Sequence, residues 1–172
     1  MNAVTSYQPM RIWTGIALVA LLVMATVAHG SNSPFSGLSG AWAGPGTITL
    51  DGGATERIRC KANYSVDGSG VNLKLDLRCS SDSFKFELQS SVSHNNGEVA
   101  GFWNELTNRV GGTVAGKAAG ERIEVLVDGP ISAMLALSTR ADQQTVSIQS
   151  PGSKMSDVAI SLSRANKQAA LK

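Results

Sequence analysis

Residues 56–79 read ERIRCKANYSVDGSGVNLKLDLRC, and this stretch decides the fold. Ile58, Cys60, Ala62, Tyr64 and Val66 recur at every second position, with Arg57, Arg59, Lys61 and Asn63 between them. Beyond Asp67-Gly68-Ser69-Gly70, the residues Val71, Leu73, Leu75, Leu77 and Cys79 alternate in the same way with Lys74, Asp76 and Arg78. Alternation of period two means extended strands with one buried and one wet face. The Asp/Gly/Ser cluster supplies the backbone freedom of a tight reversal. If Cys60 stands opposite Cys79, then Ala62 faces Leu77, Tyr64 faces Leu75 and Val66 faces Leu73, and the reversal falls at Ser69-Gly70. A slip of one residue would send the two apolar sets to opposite faces. Thiols, apolar parity and turn chemistry therefore select one antiparallel hairpin. The pair predicts an inward cross-strand disulfide closing a loop of about 20 residues, worth about 3 kcal/mol in the chain-entropy model. The spacing lacks the C-x-x-C form of a redox pair, and only scattered cations lie near the thiols.

The pattern continues in both directions. Trp42, Ile48 and Leu50 share a parity, as do Phe84, Phe86, Leu88 and Val92 against Lys85, Glu87 and Gln89. Ile123, Val125 and Val127 form a further set, followed by Ile131, Ala133, Leu135 and Leu137, then Val146 and Ile148, then Val158, Ile160 and Leu162. Asp51-Gly52-Gly53, Asn95-Asn96-Gly97, Asp128-Gly129-Pro130 and Pro151-Gly152 punctuate them as hairpin turns. No amphipathic helical pattern interrupts the series, which makes the chain all-β. Closure removes the edges that an open sheet would expose. The expected fold is an antiparallel up-and-down meander of eight to ten strands closed into a small barrel. Gly101, Gly112 and Gly116 fall within strand-like stretches, where they mark bends or bulges. With 42% hydrophobic and 16% charged residues among 172, the chain has a modest core and less charge than usual. A formal charge of +2 is too weak to point to nucleic acid as a partner.

The first thirty residues follow another logic. Arg11 precedes the apolar run Ile12–Ala28, and Ala28-His29-Gly30 places small residues where a signal peptidase reads. This is the layout of a signal peptide. The alternative is an uncleaved anchor, since the run is as long as the shortest spanning helices. Both readings place the remainder in the periplasm or outside the cell, where a disulfide persists. The expected organisation is a signal peptide over 1–30, a linker over 31–40, a barrel domain over 41–164 and a flexible tail over 165–172. Membrane contact is expected only through the signal segment, if uncleaved.

Catalytic chemistry finds no footing. His29 and His94 are the two histidines, which argues against a multi-histidine metal site. His94 sits in the turn-like Ser93-His94-Asn95-Asn96-Gly97 and reads as an exposed loop residue. No serine occupies a nucleophile elbow, and Glu105 has no evident partner for acid–base work. Neither an enzyme nor a cofactor is expected. Phe102 and Trp103 are adjacent, so a regular strand turns one outward, whereas a bulge at Gly101 would turn both inward.

Gly40-Ala41-Trp42, a G-x-W at the start of the first strand, resembles the opening of the calycins, the superfamily of lipocalins, fatty-acid-binding proteins and avidins. The resemblance implies that Trp42 closes one barrel end under a basic residue from a late strand. Arg164, on the parity of Leu162, fits that role through a cation–π contact. The whole chain also resembles small exported bacterial proteins. The function implied is a binding module with a small apolar ligand in the barrel, for which Tyr64, Leu75, Phe84 and Phe86 are candidate lining residues. The alternative is that these side chains simply fill the interior. A second reading is a protein partner: in size and layout the chain resembles exported bacterial protease inhibitors of calycin-like form, whose N-terminal segment enters the protease cleft, a part that Ser31–Gly40 would take. A third is contact with envelope lipids or a polyanion through a basic outer patch of Arg57, Arg59, Lys61, Arg78 and Lys85. Lys61 opposes Arg78 in the proposed register, and like charges so placed are destabilising. A plain solvated face relieved by Asp76 and Glu87 is the alternative.

Overall fold

The structure, a computed structural model, describes residues 33–165. Ten strands follow one another: β1 Gly40–Leu50, β2 Thr55–Val66, β3 Asn72–Ser80, β4 Lys85–Asn95, β5 Glu98–Glu105, β6 Val110–Ala119, β7 Arg122–Asp128, β8 Ala133–Arg140, β9 Gln143–Gln149 and β10 Met155–Arg164. Each pairs antiparallel with its neighbour in sequence, and β1 pairs with β10 to close the barrel. The β2–β3 register is the one the sequence selects, with Cys60 opposite Cys79, Ala62 opposite Leu77, Tyr64 opposite Leu75 and Val66 opposite Leu73. Cys60 and Cys79 form a disulfide, their Cα atoms 4.1 Å apart. Asp67 ties the intervening turn, accepting hydrogen bonds from Ser69 Oγ, from the Val71 and Asn72 amides and from Asn72 Nδ2.

Two glycine expectations resolve together. The β4–β5 and β6–β7 registers run unbroken through Gly101 and Gly116, so neither marks a bulge. They are close approaches instead. A Cβ on Gly101 would collide with the Ser91 carbonyl oxygen, and one on Gly116 with that of Glu124. Tight coiling of the wall brings these backbones nearer than a side chain allows. With no bulge at Gly101, alternation holds: Trp103 is buried and Phe102 is 66% exposed on the outside.

Three expectations need correction. Residues 33–38 are not a linker: they form a hydrogen-bonded turn, with the Ser36 amide donating to the Ser33 carbonyl and Leu38 to that of Phe35. Phe35 is 0% and Leu38 1% exposed, and both join the core. Burying such side chains is worth about 1.5–3 kcal/mol each, which outweighs the pull of their Ser/Gly surroundings toward solvent. The segment is therefore held against the barrel and is not a free arm for a protease cleft. Ile131 does not share the β8 inner face: it is exposed, and β8 begins at Ala133, after Pro130 and a Ser132–Asp128 side-chain bond have turned the chain. His94 lies on β4, half-buried, not in an exposed loop. The proposed signal segment 1–30 and tail residues 166–172 lie outside the described residues.

Candidate ligand-binding lumen

The meander gives the barrel two unlike ends. One gathers the start of β1, the end of β10 and the 33–38 turn, and it is sealed. Trp42 Nε1 donates to the Leu38 carbonyl at 2.7 Å, fixing the turn beneath the indole. Arg164 lies over the Trp42 ring, its Cζ 4.3 Å from the centroid. Its guanidinium donates to the Ser39 carbonyl at 2.6 Å, the Gly37 carbonyl at 2.8 Å and Asp142 Oδ1 at 2.8 Å. One side chain thus ties the last strand to the turn that closes the first. His94 packs edge-on against Phe35, ring centroids 6.0 Å apart, and its Nε2 accepts from the Gly97 amide. This imidazole is a packing element of the seal.

Just inside the seal lies a buried polar relay. Tyr64 donates its hydroxyl to Gln144 Oε1 at 2.8 Å, and Gln144 Nε2 donates to Thr139 Oγ1 at 3.1 Å. Burial pushes the Tyr64 hydroxyl well above the usual phenol range, keeping it protonated as a donor, with the bond to Gln144 opposing only in part. Sequence reasoning missed Gln144, which is 1% exposed. Its parity with Val146 and Ile148 was the available signal.

Toward the other end the packing changes. On β1, β2 and β10 the inward residues Ile48, Ile58, Cys60, Val158 and Ile160 are fully buried. On or beside the flanking strands β3, β4, β8 and β9, inward Leu75, Phe84, Phe86, Leu88, Leu135 and Ile148 pack against the core yet remain only partly buried, whereas β5–β7, opposite β1, β2 and β10, carry the buried Val99, Trp103, Val114, Ile123 and Val125. Fully buried inward residues therefore occur on both sides of the barrel, and the less completely buried ones lie between them. Of the four anticipated lining residues, Leu75 stands directly opposite Tyr64 near the sealed end, and Phe84 and Phe86 lie toward the other end, partly buried.

The open rim is held by carboxylates. Glu105 accepts from the Glu87 amide at 3.1 Å, the Thr107 amide at 2.9 Å, the Asn108 amide at 2.6 Å and Asn108 Nδ2 at 2.9 Å. Its burial disfavours the charge, but these donors outweigh that cost and hold the pKa at about 2. Glu56 is likewise lowered, by the Ser81 hydroxyl and the Ser83 amide. Trp103 Nε1 donates to the Asp128 carbonyl at 3.1 Å, anchoring the β7 end of the rim.

Outside the wall, Lys61 stands directly opposite Arg78, and Arg78 opposite Glu87. Glu87 lies 3.7 Å from Arg78 and 3.6 Å from Lys85. Arg59, Lys61, Arg78, Lys85 and Glu87 border an outer concavity of about 600 Å³. Arg57 and Arg59 also edge a shallow trough of about 1230 Å³ that runs over small outward residues such as Ala136, Ser147 and Ala159. The basic residues are therefore grouped, on the surface opposite to the lumen face of the same strands. Among the described residues, no group of three His, Cys, Asp or Glu side chains is placed to hold a metal ion.

No family model and no curated protein matches the chain. In three dimensions it is similar to the crystal structure of Rv2717c from M. tuberculosis, with a TM-score of 0.62 and 17% identity over 77% of this chain and 95% of that one. It is also similar to the S-type phycobiliprotein lyase CPES from Guillardia theta, with a TM-score of 0.56 and 8% identity over 77% of this chain and 91% of the other. At these identities the likeness is one of fold: the chain is a ten-stranded antiparallel closed barrel.

Proposed function

We propose that the chain is an extracytoplasmic, non-enzymatic binding protein that holds a small apolar ligand in its barrel. The observation that carries this reading is the incomplete burial of the inward apolar side chains Leu75, Phe84, Phe86, Leu88, Leu135 and Ile148. Full burial of such a side chain is worth about 1.5–3 kcal/mol, so a lumen lined by several half-buried ones leaves a driving force for an apolar guest. Small barrels of this kind can hold one ligand. The inward carboxylates Glu56 and Glu105 are bound by turn donors, which leaves neither free for acid–base work. Export is supported by the layout of residues 1–30 and by the Cys60–Cys79 disulfide.

Titration of the purified protein with a neutral, environment-sensitive naphthylamine dye should give one saturable site. Leu88→Trp, which fills the lumen without adding charge, should abolish it. A flat response across this dye, fatty acids, haem and retinoid-like compounds would remove the reading. N-terminal sequencing of exported material should begin near Ser31. A second reading concerns the outer face, where the opposed Lys61–Arg78 pair favours an anionic surface or polyanion as partner. Binding to anionic vesicles should be salt-sensitive and lost in the Arg57→Glu/Arg59→Glu double variant.

A further inference from the structure

Two concavities on the outer wall join into one groove. The smaller, of about 600 Å³, lies over β1–β4, and its charged residues are Arg59, Lys61, Arg78 and Lys85 against Glu87. The larger, of about 1230 Å³, carries on over β1, β10, β9, β8 and β7, and its charged residues are Arg57, Arg59 and Arg122 against Asp82 and Glu124. Pro45, Arg59 and Ser80 line both, so the two are continuous. We propose that this groove binds a linear acidic glycan, with acidic groups in the smaller part and sugar units laid across the larger. The proposal rests on, and deepens, the reading of the outer face as an anion-binding surface.

Charge sets the sign of the occupant. In the smaller part Glu87 is shared between Arg78 and Lys85. Arg59 and Lys61 are exposed there and have no ion pair among the described residues. Lys61 faces Arg78 across β2 and β3, an arrangement that repels unless an anion lies over it. In the larger part Arg122 is taken by Glu124, whose Oε1 accepts from its Nε at 2.7 Å, and Arg57 and Asp82 remain, one of each sign. The positive excess is therefore concentrated in the smaller part. The floor of the larger includes the register row Thr47, Ala159, Ser147 and Ala136, which is uncharged. Hydroxyls on such a floor can donate to and accept from sugar hydroxyls. Shape and lining disfavour other polyanions. A planar headgroup surface does not enter a concavity, and of the exposed large apolar side chains only Met134 borders the groove for insertion into a bilayer. Single-stranded nucleic acid is held by stacking on exposed aromatics. The one aromatic along the groove, Phe86, packs against the core instead.

The test is binding of a fluorescently labelled heparin hexasaccharide to the purified protein at neutral pH and low salt, beside the disaccharide, oligothymidylate of matched charge and phosphatidylglycerol vesicles. The hexasaccharide should bind most tightly, at least about tenfold better than the disaccharide, because linked contacts reinforce one another. Its binding should weaken as salt rises. Lys61→Glu/Arg78→Glu should weaken it by about tenfold or more, whereas Lys74→Glu/Lys154→Glu, an equal change of charge outside the groove, should leave it within about twofold. Lys61→Gln removes a repulsion, so it should bind less tightly without lowering the unfolding midpoint. Ser147→Trp, in the neutral floor, should weaken the hexasaccharide and spare the disaccharide. Salt-sensitive vesicle binding with no hexasaccharide binding would overturn this inference and leave the anion-binding reading standing. Failure of both would remove the two together. Tighter binding of oligothymidylate would overturn the choice of a glycan. Equal loss in the two double variants, or a disaccharide as tight as the hexasaccharide, would overturn the assignment to the groove.

Discussion

Arg164→Ala should open the sealed end at a cost that can be worked from its contacts. The guanidinium makes two hydrogen bonds to carbonyls of the closing turn, at 2.6 and 2.8 Å, and stacks 4.3 Å from the Trp42 centroid. A bond to a charged donor is worth about 1.5–3 kcal/mol. The side chain is 32% exposed, so the lower end of that range applies. The cation–π contact adds about 0.5–1 kcal/mol in such a setting. The pair with Asp142, whose side chain is 74% exposed, adds little. These contacts share one side chain and are not strictly additive, which gives a loss of about 3 kcal/mol. For a domain of this size, the midpoint of thermal unfolding should fall by about 10 °C. Arg164→Lys keeps a charge over the ring but loses the fork, so it should cost about half as much. Asp142→Asn should cost less than about 0.5 kcal/mol. Urea unfolding with the disulfide intact measures all three, and an unchanged m-value licenses the comparison. An Arg164→Ala protein within about 0.5 kcal/mol of wild type, or full rescue by lysine, would refute the argument that this residue locks the seal.

Other substitutions probe other joints. Tyr64→Phe leaves the buried Gln144 Oε1 without its donor and should cost about 1–3 kcal/mol by denaturant unfolding. Glu105 has its folded pKa held at about 2, below the usual glutamate range, so its stabilisation is complete above the ordinary value and is lost as pH falls toward 2. Glu105→Gln should accordingly be less stable than wild type at neutral pH, with the gap closing on acidification below about pH 4. Gly101→Ala forces the wall apart at the Ser91 carbonyl and should destabilise by about 2 kcal/mol or more, whereas Gly68→Ala, with open space around it, should be near neutral. Reduction of Cys60–Cys79 should cost about 3 kcal/mol without changing the fold, read as a lower midpoint with the same far-ultraviolet spectrum.

The β2–β3 hairpin was legible because every signal in residues 56–79 is local: parity, thiols and turn residues all lie within one reversal. The β5–β6 wall was harder to read. Gly112 and Gly116 take inward positions that would otherwise be apolar, because backbones approach there, and this blanks the alternation over 110–119. Two reversals lacked a glycine cue, since Arg109 and Ala141 adopt φ values of 57° and 49°. The closing turn was misread because its Ser/Gly/Pro composition outweighed its two apolar residues, Phe35 and Leu38. Their destination depends on the barrel end assembled from strands far away in sequence. Gln144 escaped notice for the same reason, as its partner Tyr64 is 80 residues distant. Parity separates inside from outside, but the filling of the interior follows from the cross-section of the closed barrel. The difference between the packed β2 wall and the wetter β4 wall was therefore not written in either strand alone.

Crystals of the protein soaked with 1-bromododecane test the central claim most directly. Anomalous bromine signal should appear inside the barrel, in contact with Leu75, Leu88, Leu135 or Ile148. An interior filled by its own side chains, with bromine absent or confined to the outer wall, would contradict the account.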